Sequence, residues 1–332
     1  MGASGRFERN LHKLRFYSRA LADLVVPDWV WQRRRARLIG RFRQMDGARK
    51  ADIERRVAYY NRLSEPFDPG AEAIRKRDFS RRGQRSAYYL DFKRLIRCFP
   101  DDVRFRYRFG DLTTVPDTPS FVKSRPIADA HGNANAVLLK LNQVRHYFMV
   151  SDHTAFRDKH PKAIWRGKAT QPQRRDFVER FHGHPLCDVG CNHPESEGKP
   201  WHCSFMPASD QLAYRYIISI EGNDVATNLK WILASNSLCL MRAPRYETWF
   251  MEGTLEPGVH YVQLADDHGD LEEKYRYYND HPEEAEVIIR NANRYVAEFM
   301  DAEREFLISL LVMDRYFRLA TPESNGVEGV SR

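Results

Sequence analysis

Tyr214-Arg215-Tyr216-Ile217-Ile218-Ser219-Ile220-Glu221-Gly222-Asn223-Asp224-Val225-Ala226-Thr227-Asn228 carries more of the fold than any other stretch of this chain. An apolar run reads as a buried strand. Glu221 to Asp224 read as the turn after it, and Val225 to Ala234 as a helix that Asn223 or Asp224 could cap. A strand running straight into a helix presents backbone N–H groups and a positive dipole end above a sheet, where a diphosphate can sit. Thr227, Asn228 and Lys230 could add donors. The same pattern also suits a plain capped helix with no ligand.

Working outward, Leu238–Met241 reads as the next strand. A short helix around Glu247 to Glu252, a strand at His260 to Leu264, a helix from Leu271 to Tyr278 and a long amphipathic helix from Pro282 follow. Strand and helix in alternation predict an α/β fold with a parallel sheet. Upstream, Ala163-Ile164-Trp165-Arg166-Gly167-Lys168-Ala169-Thr170 is a short strand running into a polar loop, with a helix from Pro172. Arg166, Lys168, Thr170 and Arg174 could converge on a pyrophosphate, because guanidinium forks bind phosphate in a bidentate way. Residues 183–200 read as a loop, and the chain from Tyr88 to Asp111 as strands.

Residues 1–50 hold 13 of the 53 Lys and Arg but only 4 of the 45 Asp and Glu; the remaining 282 residues are close to neutral. The excess positive charge is therefore local, and it points to an anionic partner. Leu11, Leu14, Tyr17, Leu21 and Leu24 recur at helical spacing among Arg6, Arg9, Lys13, Arg15 and Arg19. Trp29 and Trp31 then precede Arg33-Arg34-Arg35. Rings beside arginines suit a peripheral membrane contact through residues 1–37, or a surface helix packed on the core. No segment has the roughly 20 apolar residues that a spanning helix needs. Five scattered Cys fit a reducing cytoplasm better than a disulfide scaffold. Cys187, Cys191, His193, His202 and Cys203 lie close together, near His182 and His184, and could ligate zinc, although the spacing is not that of a standard finger.

Four segments together resemble glycosyltransferase family 90, most closely from Ile164 to Phe317. They are the Trp-Arg-Gly loop, Glu221-Gly222-Asn223-Asp224-Val225-Ala226-Thr227-Asn228-Leu229-Lys230-Trp231, Tyr246 to Gly253, and Leu255 to Val262. The family includes bacterial lipopolysaccharide core transferases, fungal capsule-associated proteins and animal protein O-glucosyltransferases. The resemblance implies a GT-B-like fold: two Rossmann-like domains facing a cleft, with a C-terminal helix crossing the junction. It implies inverting, metal-independent transfer from a UDP-sugar, with no cofactor beyond that donor. The acceptor would be an anionic lipopolysaccharide core or another glycan, such as a capsule polysaccharide. The expected place is the cytoplasm, peripheral to the inner membrane.

The family's phosphate-binding arginine falls on Arg174, in the loop region that also holds Arg166, Gly167 and Thr170. Lys168 stands where the family has a serine. The family's diphosphate-binding positions fall on Val225, Ala226 and Thr227, and Asn223 and Asp224 just before them are counted with the donor site. Asn228 stands where eukaryotic members carry arginine, which leaves Lys230 to complete the charge. Glu247 corresponds to a carboxylate near the ribose. The catalytic base falls on Asp111, with Asp117, Asp101 and Asp102 as rivals. Such a carboxylate would take the acceptor proton, and the absence of any Asp-x-Asp fits the metal-free reading.

The expected organisation is a basic helical segment at 1–50, an acceptor-side α/β domain at 51–160, a nucleotide-sugar domain at 161–300, a helix at 301–320 packing back on the first domain, and a disordered tail at 321–332. Two rival classes stand beside this reading. A nucleic-acid-binding protein would use the basic segment, but that leaves the four C-terminal motifs without a role. A sugar-nucleotide sensor would bind UDP without transferring.

Overall fold

The computed structural model describes residues 2–81, 86–129 and 131–320, with side chains from residue 7 onward. The tail expected over 321–332 lies outside the described residues. Two compact units share the chain. Among the described residues, one takes in those up to Leu21 and Asn142–Ala302; the other takes in Ala22–Leu141 and those from Glu303 to Ala320. The chain passes from one unit to the other after Leu21, Leu141 and Ala302.

In the first unit, five strands form a wholly parallel sheet. Its spatial order is Cys187–Cys191, His160–Gly167, Tyr214–Ser219, Leu238–Met241, Val262–Gln263. Tyr216, Ile217 and Ile218 at its centre are fully buried. A strand covered on both faces needs apolar side chains at successive positions, which is why this segment reads as an unbroken run. The helices Pro172–Phe181, Leu271–Asp280 and Pro282–Ala297 contribute Phe177, Val178, Leu271, Tyr275, Ala285 and Ile288 to the core that also contains Trp165, Tyr216 and Leu240.

Three local expectations are corrected here. The supposed loop at 183–200 contains the edge strand Cys187–Cys191; its Gly, Pro, His and Cys content masks a strand whose register is set by pairing with Ala163–Gly167. The helix expected from Val225 to Ala234 is shorter and spans Leu229–Leu233. Val225 and Ala226 are instead buried in the preceding loop. The segment Glu247 to Glu252 is no helix: Tyr246–Thr248 is a strand and Glu252–Thr254 a single 3-10 turn. The Glu252 carboxylate accepts from Thr248 N at 2.6 Å and from Thr248 Oγ1 at 2.8 Å, which folds this piece back on itself.

The second unit pairs helices with short strands. Ser86–Ile96 is a helix, not a strand, with Tyr88, Leu90, Phe92, Leu95 and Ile96 buried. Aromatic content suggests a strand, and because Tyr88 to Phe92 are buried at successive positions the run carries no clear period of its own. Arg104–Phe105 pairs antiparallel with Ile74–Arg75. Tyr107–Arg108, Ser120–Val122 and Ala136–Leu138 form a parallel three-stranded sheet. The last helix, Ala302–Leu319, packs Tyr316 on Phe121 with centroids 4.3 Å apart and Phe317 on Phe99 at 4.9 Å. Glu305 on this helix makes a buried bidentate pair with Arg56. Trp31 does not serve as a surface anchor. It is buried, with Arg34 and Arg97 over its ring, whereas Trp29 is exposed. Among the described residues no helix is long and apolar enough to cross a membrane.

Candidate functional site

Counted along the chain, the five strands lie in the order two, one, three, four, five. In such sheets the chain leaves the first strand toward one edge and later returns to build toward the other. A crevice opens at the carboxyl ends of the first and third strands, and ligands bind there. Here these are His160–Gly167 and Tyr214–Ser219.

Arg174 occupies that edge. It comes from the first turn of Pro172–Phe181, a helix pinned at its start by Pro172. Its guanidinium donates to Lys168 O at 3.4 Å, just past the first strand. It also donates to Ile220 O at 2.8 Å and Glu221 O at 3.0 Å, just past the third. Gly222 lies beneath it: a Cβ there would come within 3.4 Å of Nη2. The partners are carbonyls, with no carboxylate among them. Burial, and then the neighbouring Arg145, push the Arg174 guanidinium down to about 10. A desolvated cation beside another cation is relieved when an anion arrives, so this arrangement suits an anionic ligand.

The surrounding groups tie the loop after the third strand in place. Gln173 Nε2 donates to Gly222 O at 2.9 Å, and Gln171 Nε2 to Asn223 Oδ1 at 3.2 Å. Arg245 clamps the Glu221 carboxylate through its backbone N at 2.9 Å and its Nε at 3.0 Å. Gly222, Asn223, Val225, Ala226 and Thr227 donate no backbone hydrogen bond within the described residues. Gly167 is needed for packing, since a Cβ there would lie 2.9 Å from the Trp165 ring.

Comparison with known proteins matches residues 134–330 to the model described as Glycosyl transferase family 90. The chain is 52% identical over 316 residues to O-glucosyltransferase LpsA of Dichelobacter nodosus, covering 95% of this chain and 98% of that one. It is 26% identical over 165 residues to Protein O-glucosyltransferase 3 of Homo sapiens, covering 48% of this chain and 32% of that one. This chain belongs to glycosyltransferase family 90. It is therefore a transferase that binds a sugar donor and a glycan acceptor.

Family membership makes the fate of each expected site residue informative. The structure brings Gly167, Arg174 and Asn223 to one edge, with Thr170 exposed on the neighbouring loop. Asp224, Val225 and Ala226 are buried, and Thr227 is half-buried, in the loop after Gly222. Arg166 is turned away: it donates to Asp188 O at 2.7 Å and pairs with the Asp188 carboxylate, which Tyr214 also contacts. Burial alone would raise that carboxyl, but the Tyr214 and Arg166 hydrogen bonds outweigh it and hold it below the usual carboxylate range. Asn228 also folds back, giving Nδ2 to Ile218 O at 3.4 Å and accepting from Ser219 Oγ at 3.2 Å. Lys230 is fully buried against Glu252 at 2.9 Å and lies over the Phe250 ring. Glu247 is buried on its strand.

Asp111 belongs to the other unit, where Lys123 Nζ donates to its Oδ1 at 2.6 Å. Its rival Asp101 pairs with Lys76 at 2.9 Å. The Cys and His cluster is occupied with local structure. Cys191 Sγ accepts from Ala169 N and His193 N, and His202 Nδ1 meets Ser196 Oγ at 2.8 Å. No metal-binding group of three His, Cys, Asp or Glu occurs among the described residues. Gln171, Gln173, Arg145 and Arg245 escaped the sequence reading. The polar start of the helix after Trp-Arg-Gly was the available signal for the two glutamines, whereas nothing local marks the two arginines.

Proposed function

We propose that this family 90 member is an inverting, metal-independent glucosyltransferase that takes glucose from a UDP-sugar and builds a lipopolysaccharide core. The observation that carries this reading is Arg174, a guanidinium held by carbonyls alone where the two central strands end. A diphosphate would meet it there, together with the N–H groups of Gly222, Asn223, Val225, Ala226 and Thr227. The glucosyl choice rests on the similarity to O-glucosyltransferase LpsA of Dichelobacter nodosus. The nucleotide, the acceptor, and a GT-B-like arrangement of two Rossmann-like domains facing a cleft rest on the motif resemblance.

In the proposed reaction a carboxylate takes the proton of an acceptor hydroxyl. The oxygen then attacks the anomeric carbon on the face opposite the leaving group. The bond from that carbon to the β-phosphate oxygen breaks, its electron pair departs with UDP, and the configuration inverts. Arg174 and the loop N–H groups offset the charge growing on the diphosphate. Asp111 is the base in this proposal, and the Lys123 ammonium fixes its carboxylate.

Calorimetric titration with UDP, with and without EDTA, tests the reading. Binding indifferent to EDTA is expected in the wild type. Arg174→Ala should lose about 100-fold in affinity, the equivalent of one strong charge-assisted contact. Arg174→Lys retains the charge and separates loss of binding from loss of the carbonyl network, with thermal unfolding checked in both. Asp111→Asn should keep UDP binding and lose transfer to core oligosaccharide. Absence of UDP binding in folded wild-type protein would overturn the proposal, and transfer to a capsule polysaccharide alone would overturn the acceptor.

A further inference from the structure

The helix Gly2–Val25 docks by one side. His12 Nε2 lies 3.2 Å from Val144 O, its ring meets Phe148 edge-on at 5.2 Å, and Phe16 is half-buried. The opposite side is exposed and carries an apolar row flanked by Asn10 and Ser18: Phe7 is 67% exposed, Leu14 62%, Leu21 59% and Val25 83%. At about 100° per residue these four fall within about 40° of one another around the axis, a single row along the helix. Lys13, Arg15 and Arg19 are exposed and lie about 80–120° from that row on its two sides. None of the three has a carboxylate partner among the described residues. Of the two carboxylates on the helix, Asp23 is taken by Arg94 at 3.2 Å.

We infer that this face lies in the surface of an anionic lipid bilayer. The apolar row enters the acyl boundary, and the flanking cations meet the headgroups. Charge complementarity favours this occupant over a second copy of the chain, because two such faces brought together would oppose cation to cation. This contact is separate from the nucleotide edge and does not depend on it.

The test is co-sedimentation of the full chain with phosphatidylglycerol–phosphatidylcholine vesicles against phosphatidylcholine alone. Binding to the anionic vesicles only is expected, and salt should weaken it. Leu14→Ser with Leu21→Ser should cut the partition coefficient about tenfold or more, with unfolding temperature and UDP affinity unchanged because both side chains face solvent. Arg15→Glu with Arg19→Glu should abolish the preference for anionic lipid. Unchanged vesicle binding in the serine variant would overturn the inference. So would a concentration-dependent dimer that the serine variant dissolves without any vesicle binding in the wild type, a result that would assign the face to a second copy.

Discussion

Arg174 and Lys230 are both buried or partly buried cations of the same unit, one just after a family motif and the other within one, yet their surroundings are opposite. Lys230 is closed off against Glu252, each side chain 1% exposed, between the rings of Phe250 and Tyr147. Arg174 has three carbonyls, a second arginine nearby and no carboxylate. A cation that already owns a carboxylate holds the fold together. A cation held in place by neutral acceptors keeps its charge available. Residue type does not separate the two cases; the partner does.

The largest expected effect breaks the closed case. Lys230→Ala leaves the Glu252 carboxylate buried without its cation, and the loss of stability should be about 3–5 kcal/mol, read from urea unfolding. Nucleotide affinity per folded molecule should not change, and a specific loss of UDP binding at full stability would reverse the comparison.

A second buried group sharpens the same contrast through pH. Burial, and then Arg242, push the His268 imidazole down to about 4 from its ordinary 6.5. The unfolded chain therefore binds the proton more readily than the folded one. The stabilisation is complete above pH 6.5 and drains away as pH falls toward 4, by about 3 kcal/mol in all. His268 also holds a left-handed backbone conformation, φ 59°. His268→Asn accepts that conformation and cannot titrate, so chemical unfolding as a function of pH should lose this part of its slope.

The smallest effect tests the open case. Arg145 lowers the proton affinity of Arg174 and is itself exposed. Arg145→Ala should weaken UDP binding by only about 1 kcal/mol, most visibly at low salt, against the larger loss for Arg174→Ala. Tighter binding in Arg145→Ala would mean that the second cation hinders the anion rather than helping to attract it.

Legibility in the sequence followed burial. Tyr214–Ser219 and Leu238–Met241 were readable because a parallel strand covered on both faces must be apolar at successive positions. The helix at Pro172 was readable because proline suits a first turn. Cys187–Cys191 was not: an edge strand of five residues that includes Gly190 owes its conformation to its neighbour. Ser86–Ile96 was misread because its aromatic residues fit either period until their packing partners are known. Among the expected site residues, Arg174 lies where two strands end, while Arg166, Asn228 and Lys230 contact Asp188, Ile218 and Glu252, partners that no local pattern announces.

By itself the sequence determined the alternating α/β pattern, the family motifs and the concentration of positive charge in the first fifty residues. Those properties are written in local composition and period. Only the tertiary structure decided which cations are already neutralised, that Trp31 lies inside while Phe7, Leu14 and Leu21 lie outside, and that Arg174 bridges the ends of two strands some fifty positions apart in the chain. Charge pairing and burial act over a few ångströms in space, and the distance along the chain says nothing about either until the sheet has brought the segments together.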